Sequence, residues 1–196
     1  MKVYIQLGSN IGNDKFYEII SSISERSIIL LVEPNKSLHP QLKYNYTNLL
    51  DKHEFVFIEK AVVPHQNHRS KLYTYNDTGK CSLIKRKSHT CRNGEISIEV
   101  MTFLELCDTY NIQQIELLMI DTEGLDYEIL NSIDLSRVSI KKIIFEVWPY
   151  TNDDENSLFE TGETFLNSNL KPKYNSYNWQ IIDLDGNANY VLDKIH

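Results

Sequence analysis

A glycine-containing turn and two carboxylates follow directly after apolar segments of this sequence. One apolar segment runs into Gly8, a second ends on Glu33, and a third ends on Asp121. A carboxylate at the end of a buried strand can bind hydroxyl groups, face a cation, bind a metal or take a proton as a general base. These three positions are therefore candidate functional sites.

The first candidate is the turn between Gly8 and Gly12. Glycine permits a sharp turn and a close approach of the backbone to a ligand, and Asn10 tolerates left-handed geometry. The spacing G-x-N-x-G differs from the G-x-G-x-x-G fingerprint of dinucleotide-binding turns. Taken alone, an ordinary connection between a strand and a helix explains these glycines about as well as a binding site does.

Glu33 is the second candidate, because its carboxylate can accept hydrogen bonds from both hydroxyls of a ribose. Pro34 favours an extended conformation at Glu33, which would keep the carboxylate at the tip of the strand. An isolated glutamate in this place would be interpreted as a solvated acid. Since the turn from Gly8 to Gly12 lies one β–α unit earlier, ribose binding is the better interpretation.

The third group of acidic residues lies in residues 117–130 (LLMIDTEGLDYEIL). Asp126 falls in the first turn of a predicted helix, where the helix dipole is enough to explain an acid. Asp121 ends a strand instead and lacks that explanation. Together with Glu123 it could act as a general base, bind a metal or face a cationic group of a cofactor.

Strands and helices alternate along the chain. Strands are predicted at residues 3–7, 27–33, 54–63, 71–75, 96–100, 115–121, 140–150, 177–185 and 189–195, and helices at residues 13–25, 36–50, 102–112, 125–132 and 156–169. This order predicts an α/β fold with a mostly parallel twisted sheet, helices on both faces and a C-terminal antiparallel hairpin. Ligands bind such sheets beyond the carboxyl ends of the strands, which is where the candidate residues fall.

Residues 64–95 interrupt this alternation and are predicted to form a long, mostly polar loop near the site. A loop of that length inside a compact domain is usually functional or disordered. His65 and His68 in this loop are additional candidate bases, although a solvated loop residue is the simpler interpretation of each.

The composition indicates one soluble domain over residues 1–196. A net charge of -7 argues against nucleic acid and anionic membranes as partners, since both favour a basic surface. We find no apolar run long enough to span a membrane and no signal peptide. Three cysteines without CxxC spacing make a disulfide framework or a zinc site improbable, which favours the cytoplasm.

Several segments, in this order, resemble the FkbM family of S-adenosylmethionine-dependent methyltransferases. The matching segments are QLGSNIG (6–12), EPN (33–35), GKCSL (79–83), SIEVMTFLEL (97–106), LLMIDTEGLDYEIL (117–130) and IIFEV (143–147). The most specific of them is 117–130, which matches the family pattern L-L-K-I-D-V-E-G-A-E-x-x-V-L. The resemblance covers about residues 3–150, which is most of the chain.

The resemblance implies a Rossmann-like class I methyltransferase fold that uses S-adenosylmethionine, and we assign no metal ligand. The implied reaction is O-methylation of a hydroxyl on a sugar, a glycan or a small metabolite, and the candidate catalytic residues are Asp121, Glu123 and His68. The implied cofactor-binding residues are Gln6, Gly8, Ser9, Asn10, Gly12, Glu33, Pro34, Ala61 and Asp121.

The sequence departs from the family pattern at three positions. Gln6 replaces an aspartate, which removes a carboxylate expected near the methionine portion of the cofactor. Met119 replaces a frequent lysine, so no mechanism can use an ammonium group there, and Asp126 replaces a glutamate. Larger members often have helices before the first strand that cover the site. We therefore expect a site that is open, or closed by a partner or by residues 64–95.

Two other functions remain open at this point. A nicotinamide-dependent oxidoreductase would share Glu33, but the third glycine of its fingerprint is missing and no Tyr/Lys pair for hydride transfer stands out. A non-catalytic module that retains the fold is the other alternative, and the changes at Gln6 and Met119 are compatible with it. Binding of S-adenosylhomocysteine but not NAD, followed by a test for methyl transfer, separates the three.

Overall fold

The structure is a computed structural model that describes residues 1–67, 70–75, 80–84, 94–147, 162–184 and 186–195. Its strands are β1 Lys2–Leu7, β2 Ser27–Val32, β3 Glu54–Ile58, β4 Lys60–Val63, β5 Lys71–Tyr75, β6 Lys80–Ser82, β7 Glu95–Ser97, β8 Glu99–Thr102, β9 Gln114–Ile120, β10 Ser139–Glu146, β11 Tyr177–Leu184 and β12 Asn187–Lys194. Its α-helices are α1 Lys15–Ser22, α2 His39–Asn45, α3 Phe103–Thr109, α4 Asp126–Ser132, α5 Gly162–Phe165 and α6 Lys171–Lys173.

Within these residues, seven strands form the main sheet in the order β11-β12-β10-β9-β1-β2-β3. Parallel pairing joins β10, β9, β1, β2 and β3, which lie in this order across the sheet. Strands β12 and β11 add an antiparallel hairpin at the β10 edge. The strand order reverses at β1, which lies between β2 and β9. The predicted α/β fold with a mostly parallel sheet and a C-terminal hairpin is confirmed.

Helices cover both faces of the main sheet, as predicted. On one face α1 and α2 contribute Phe16, Ile20 and Leu42 to a core that also contains Met119 of β9. On the other face α3 and α4 pack with the neighbouring residue Leu118 in a second core. Successive strand residues alternate between the two cores because side chains of a strand point to opposite faces. Met119 is therefore a core residue at the position where the family often has lysine.

Two strands that were predicted to be continuous are each divided between separate sheets. The predicted strand 54–63 splits into β3, at the edge of the main sheet, and β4, which pairs in parallel with β8. The predicted strand 96–100 splits at Ile98 into β7 and β8. Apolar periodicity indicates an extended chain but carries no information on which partner strand it pairs with, and this is why the prediction was wrong.

Residues 64–95 were predicted to be a loop, with one strand-like piece at 71–75. In their described part β5 pairs antiparallel with both β6 and β7 to form a small sheet. The β5 strand is confirmed, while β6 was not predicted. Because β7 precedes β8 directly, the small sheet is tied to β4 and hence to the edge of the site.

The predicted helix 36–50 is also divided. A short 3₁₀ turn at Lys36–Leu38 precedes α2, and a second at Thr47–Leu49 follows it. Pro40 lies in the first turn of α2, where a residue without a backbone N–H is tolerated but cannot extend a longer helix. The C-terminal region contains α5, a π-helical turn and α6 in succession over residues 162–173. Helical structure thus continues past residue 169, the predicted end of helix 156–169, and the first part of that predicted helix lies outside the described residues.

The part of the chain that the structure describes contains no helix that is both long and apolar enough to cross a membrane.

Candidate cofactor-binding site

The candidate site lies at the carboxyl edge of the main sheet, where the strand order reverses. Parallel register places Leu7 of β1 beside Val32 of β2 and Ile120 of β9, so the next residues of all three strands meet. The backbone N–H of Gly8 donates to the Val32 carbonyl at 2.9 Å. The N–H of Asp121 donates to the Leu7 carbonyl at 2.9 Å. The crevice at such a reversal is the usual ligand site of open α/β sheets.

Gly8 must be a glycine for two reasons. Its φ is +81°, in the left-handed region that side chains disfavour. A Cβ on Gly8 would lie 1.8 Å from the carbonyl oxygen of Asp121, which is backbone and cannot move aside cheaply. Gly8 thus lets β1 and β9 approach each other closely at the edge of the site.

Gly12 serves the same turn but faces the protein instead of the crevice. Its φ is +68°, and a Cβ there would lie 2.5 Å from the Tyr46 ring and 2.6 Å from Leu42. Asn10, between the two glycines, has a φ of +47°, the left-handed geometry expected of it. The turn is therefore packed down onto α2, with Asn10 at its exposed tip.

The Glu33 side chain is 5% exposed and joins two turns of the backbone. One carboxylate oxygen accepts from the N–H of Asn10 at 2.9 Å, and the other accepts from the N–H of Asn35 at 2.8 Å. Burial raises the pKa of Glu33, and these two N–H groups oppose the rise. The Glu33 carbonyl lies 2.7 Å from Nε2 of buried His39, which donates to it.

The residues after β9 bring three carboxylates together. Asp121 is accessible from the crevice, yet burial raises the pKa of its carboxyl well above the usual range, and the charges of Asp126 and Glu123 add to the shift. Glu123 has a φ of +55°, a conformation that non-glycine residues rarely adopt. A base with a raised pKa accepts a proton more readily near neutral pH than an ordinary carboxylate does.

These elements enclose a cavity of about 70 Å³, several times the ~15 Å³ that one buried water needs. One wall comes from the strand ends and the acidic loop, and another from β4 and the small sheet. The lining residues are Leu7, Gly8, Asn10, Val32, Glu33, Pro34, Ala61, Val62, Leu72, Cys81, Leu83, Asp121, Thr122 and Glu123. This lining contains carboxylates and apolar side chains but, among the described residues, no basic one.

The small sheet closes the cavity through two contacts of β6. Nδ2 of Asn35 donates to Sγ of Cys81 at 3.6 Å, on the Glu33 side. Oγ of Ser82 donates to the carbonyl oxygen of Glu123 at 2.7 Å, on the opposite side. Strand β6, which lies within residues 64–95, therefore bridges the crevice.

The structure brings most of the predicted site residues together. Those that line the cavity are Gly8, Asn10, Glu33, Pro34, Ala61, Asp121 and Glu123. Ser9 and Gly12 lie beside it in the turn, and the Ser9 hydroxyl donates to the Gln6 carbonyl at 3.3 Å. His68 lies outside the described residues.

Gln6 is buried next to the cavity without lining it. Its Nε2 donates to the carboxylate of Asp14 at 2.6 Å, and its Oε1 has no hydrogen-bond partner among the described residues. Asp14 caps α1 by accepting from the N–H groups of Phe16 and Tyr17, and burial raises its pKa. Asp14, two residues after Gly12, thus places a carboxylate beside the position where the family pattern has aspartate and this chain has Gln6.

Sequence reasoning missed the contribution of the middle segment to the cavity. Leu72, Cys81 and Leu83 reach it through strand pairing over long sequence separations. The resemblance of residues 79–83 to a family segment was the available signal, since it marked this piece without assigning it a role. Sequence reasoning also missed that the Asp126 carboxylate accepts hydrogen bonds from the loop that precedes α4.

Comparison with solved structures shows where this fold recurs. Methyltransferase FkbM from Methylobacillus flagellatus KT is 11% identical with a TM-score of 0.54, over 97% of this chain and 43% of that one. Aeropyrum pernix fibrillarin with natively bound S-adenosyl-L-methionine is 10% identical with a TM-score of 0.51, over 97% of this chain and 65% of that one. An rRNA methylase from Streptococcus thermophilus is 9% identical with a TM-score of 0.50, over 100% of this chain and 88% of that one. At these identities the likeness establishes the methyltransferase fold.

The comparison of sequences gives the family. No curated protein matches this sequence. The model of the methyltransferase FkbM domain matches residues 6–173, from the strand that carries Gln6 to the last described helix. This match spans the glycine turn, Glu33, the small sheet and the acidic loop, and the chain belongs to the FkbM family of methyltransferases.

Proposed function

We propose that the protein is an S-adenosylmethionine-dependent methyltransferase that methylates a hydroxyl oxygen of a sugar, a glycan or a small metabolite. The observation that carries this proposal is the cavity at the strand reversal, with Glu33 on one side and Asp121 on the other. Membership of the FkbM family and the fold shared with a protein that binds S-adenosyl-L-methionine support it. We further propose that residues 1–196 form one domain that acts in the cytoplasm.

The residues of the cavity fit the chemical groups of this cofactor. Glu33 has a lone pair left on each carboxylate oxygen after binding the two backbone N–H groups, and these can accept from the two ribose hydroxyls. The apolar side chains of Ala61, Val62 and Leu72 suit an adenine ring. The cofactor carries a sulfonium cation and no phosphate, which agrees with a cavity that contains carboxylates and lacks the phosphate-binding fingerprint.

The bound cofactor would supply an electrophilic methyl group, and the chain supplies position and a base. Asp121 is the proposed base, because it is accessible from the cavity and its raised pKa suits a proton acceptor. It would take the proton of the acceptor hydroxyl on a carboxylate oxygen. Glu123 adds negative charge beside it. The remaining gain comes from holding the acceptor in line, which is the main contribution of an enzyme to such a displacement.

A small-molecule or glycan acceptor fits the charge of the protein better than a nucleic acid does. The net charge is -7, and nucleic-acid binding depends on basic groups that neutralise phosphates. Because the structures that share the fold include an rRNA methylase, RNA belongs among the tested acceptors.

The test is transfer of a labelled methyl group from S-adenosylmethionine to a panel of sugars, glycans, hydroxylated metabolites and RNA. We expect label on an oxygen of one hydroxyl acceptor, and Asp121→Asn should lower the rate by about 10²- to 10⁴-fold, the usual contribution of a general base. Asp134→Asn is the matched control, since Asp134 is an exposed turn aspartate after α4.

Transfer of label to RNA alone would contradict the proposed acceptor class. Binding of S-adenosylhomocysteine without transfer to any acceptor would favour the non-catalytic module. An Asp121→Asn variant with the wild-type rate would remove Asp121 from the role of base.

A further inference from the structure

The loop between β9 and α4 holds a backbone conformation that it would not adopt unaided. Glu123 has a φ of +55° and Gly124 a φ of +121°. A non-glycine residue in the left-handed region costs free energy and persists only when the surrounding structure imposes it. Since Asp121 and Glu123 both line the cavity, whatever imposes this conformation also aims the acidic groups of the site.

Asp126 makes the contacts that can impose it. Its side chain is 1% exposed, and its carboxylate points back along the chain instead of into solvent. One oxygen accepts from the N–H of Thr122 at 3.2 Å. The other accepts from the Thr122 hydroxyl at 3.3 Å and from the N–H of Gly124 at 3.2 Å. Three donors on the two sides of Glu123 therefore converge on one carboxylate.

The position of these donors matters more than their number. The N–H groups of Thr122 and Gly124 flank Glu123, so binding both to the same side chain closes the loop around the left-handed residue. The Ser82 hydroxyl holds the Glu123 carbonyl from the small sheet at 2.7 Å. The loop is thus fixed from within the chain by Asp126 and from across the cavity by Ser82.

We propose that Asp126 is a positioning residue, which holds the 121–125 loop so that the side chains of Asp121 and Glu123 face the cofactor. The helix dipole alone does not explain this residue, because its hydrogen bonds go to the loop that precedes α4. The inference rests on the proposed function for the identity of the ligand, but the loop contacts themselves do not depend on it. An amide at this position cannot accept from all three donors, since its nitrogen has no lone pair to offer.

Two measurements on the same variants test the proposal. The first is the affinity for S-adenosylhomocysteine by calorimetry, and the second is amide hydrogen exchange of Thr122 and Gly124, measured by NMR without ligand. Asp126→Asn should weaken the affinity about tenfold, which is the equivalent of one lost buried hydrogen bond. It should also speed exchange of both amides about tenfold or more, while amides of β1 and β9 keep their protection.

Matched variants separate positioning from a general loss of stability. Asp134→Asn, at an exposed turn, should change neither quantity more than about twofold. Asp126→Glu keeps a carboxylate and should recover slow exchange and most of the affinity. Should Asp126→Asn fail to fold, Ser82→Ala gives the same readout from the other side of the loop, with faster exchange of Gly124 and weaker affinity expected.

The outcomes are decisive in each direction. Wild-type exchange rates in Asp126→Asn would overturn the proposal, even if the affinity fell, because the residue would then act directly and not through the loop. Wild-type affinity with fast exchange would overturn it as well, since the loop conformation would not matter for binding. If the wild-type protein binds no S-adenosylhomocysteine, the proposed function fails, and the exchange rates without ligand still decide whether Asp126 holds the loop.

Discussion

Replacement of Glu33 by alanine should weaken both the fold and the cofactor site. The carboxylate is 5% exposed and accepts two backbone N–H groups, from Asn10 at 2.9 Å and Asn35 at 2.8 Å. Hydrogen bonds to charged groups contribute about 1.5–3 kcal/mol each, and water can replace part of that at the exposed tip of the turn. We therefore expect Glu33→Ala to lower the free energy of unfolding by about 3 kcal/mol.

Glu33→Ala should weaken the ligand affinity by more than the smaller fraction of folded protein alone would. In the folded variant the ribose hydroxyls lose their acceptor, so S-adenosylhomocysteine should bind about 10- to 150-fold more weakly, which corresponds to about 1.5–3 kcal/mol. Glu33→Gln keeps the shape of the side chain but offers one acceptor oxygen to the two N–H groups. Its loss in stability and in affinity should lie between those of wild type and Glu33→Ala.

Glu54→Gln is the control for a glutamate at the opposite, amino end of the neighbouring strand β3. Its side chain is exposed, and substitutions at such surface positions change the free energy of unfolding by about 0.5 kcal/mol or less. Urea denaturation gives the free energy of unfolding, and calorimetric titration with S-adenosylhomocysteine gives the affinity. Wild-type affinity in Glu33→Ala, with a folded variant, would refute the assignment of Glu33 to the ribose.

Three further predictions concern stability. Gly8→Ala should lower the free energy of unfolding by at least about 3 kcal/mol, because its Cβ would lie 1.8 Å from the Asp121 carbonyl at a positive φ; an unchanged urea midpoint would contradict this. Burial, and then the charge of Glu146, raises the pKa of Asp126 from 3.8 to about 7 in the folded protein, so its contribution to stability is full below pH 3.8 and is lost as the pH rises to 7. Between pH 5 and pH 8, wild type should therefore lose roughly 2–3 kcal/mol of its free energy of unfolding relative to Asp126→Asn, as measured by urea denaturation. A difference between the two proteins that stays constant with pH would be incompatible with that pKa. Thr102→Ala should cost about 1 kcal/mol by removing the capping box of α3, measured in the same way, and no loss would show that the cap does not contribute.

The sequence predicted the main sheet well because its central strands are buried on both faces. Mostly apolar runs such as those of β1, β2 and β9 are typical of strands in the interior of a parallel sheet, and parallel register then brings their carboxyl ends together. The adjacency of Gly8, Glu33 and Asp121 therefore followed from three local patterns and one general property of such sheets.

Pairing over long sequence distances was not predictable in the same way. Nothing in the alternation of residues 54–63 indicates that the chain leaves the main sheet after Ile58 to pair with β8. The contacts of Cys81 and Ser82 across the cavity depend on the small sheet of β5, β6 and β7, whose strand pairing was not predictable either. Local hydrogen bonds were not predictable either. The sequence of α4 places Asp126 in the first turn of a helix but does not indicate that its carboxylate accepts from the preceding loop.

Glu33 shows how a residue predicted to bind a ligand can also have a structural role. Its position after a strand suggested a ribose ligand, and the structure adds that it binds the backbone of Asn10 and Asn35. Gln6 shows the opposite case. The family pattern has an aspartate at this position and Gln6 has no carboxylate, but the carboxylate of Asp14 accepts a hydrogen bond from the Gln6 side chain. A resemblance to a family pattern identifies the positions of such groups in the sequence, while the geometry decides what they contact.

Calorimetric titration of the wild-type protein with S-adenosylhomocysteine, and with NAD in a parallel run, tests whether this cavity is a methyltransferase cofactor site. We expect saturable binding of S-adenosylhomocysteine at one site per chain and no heat of binding from NAD. Absence of S-adenosylhomocysteine binding to the folded protein would contradict the proposed function, and saturable binding of NAD in its place would favour the oxidoreductase.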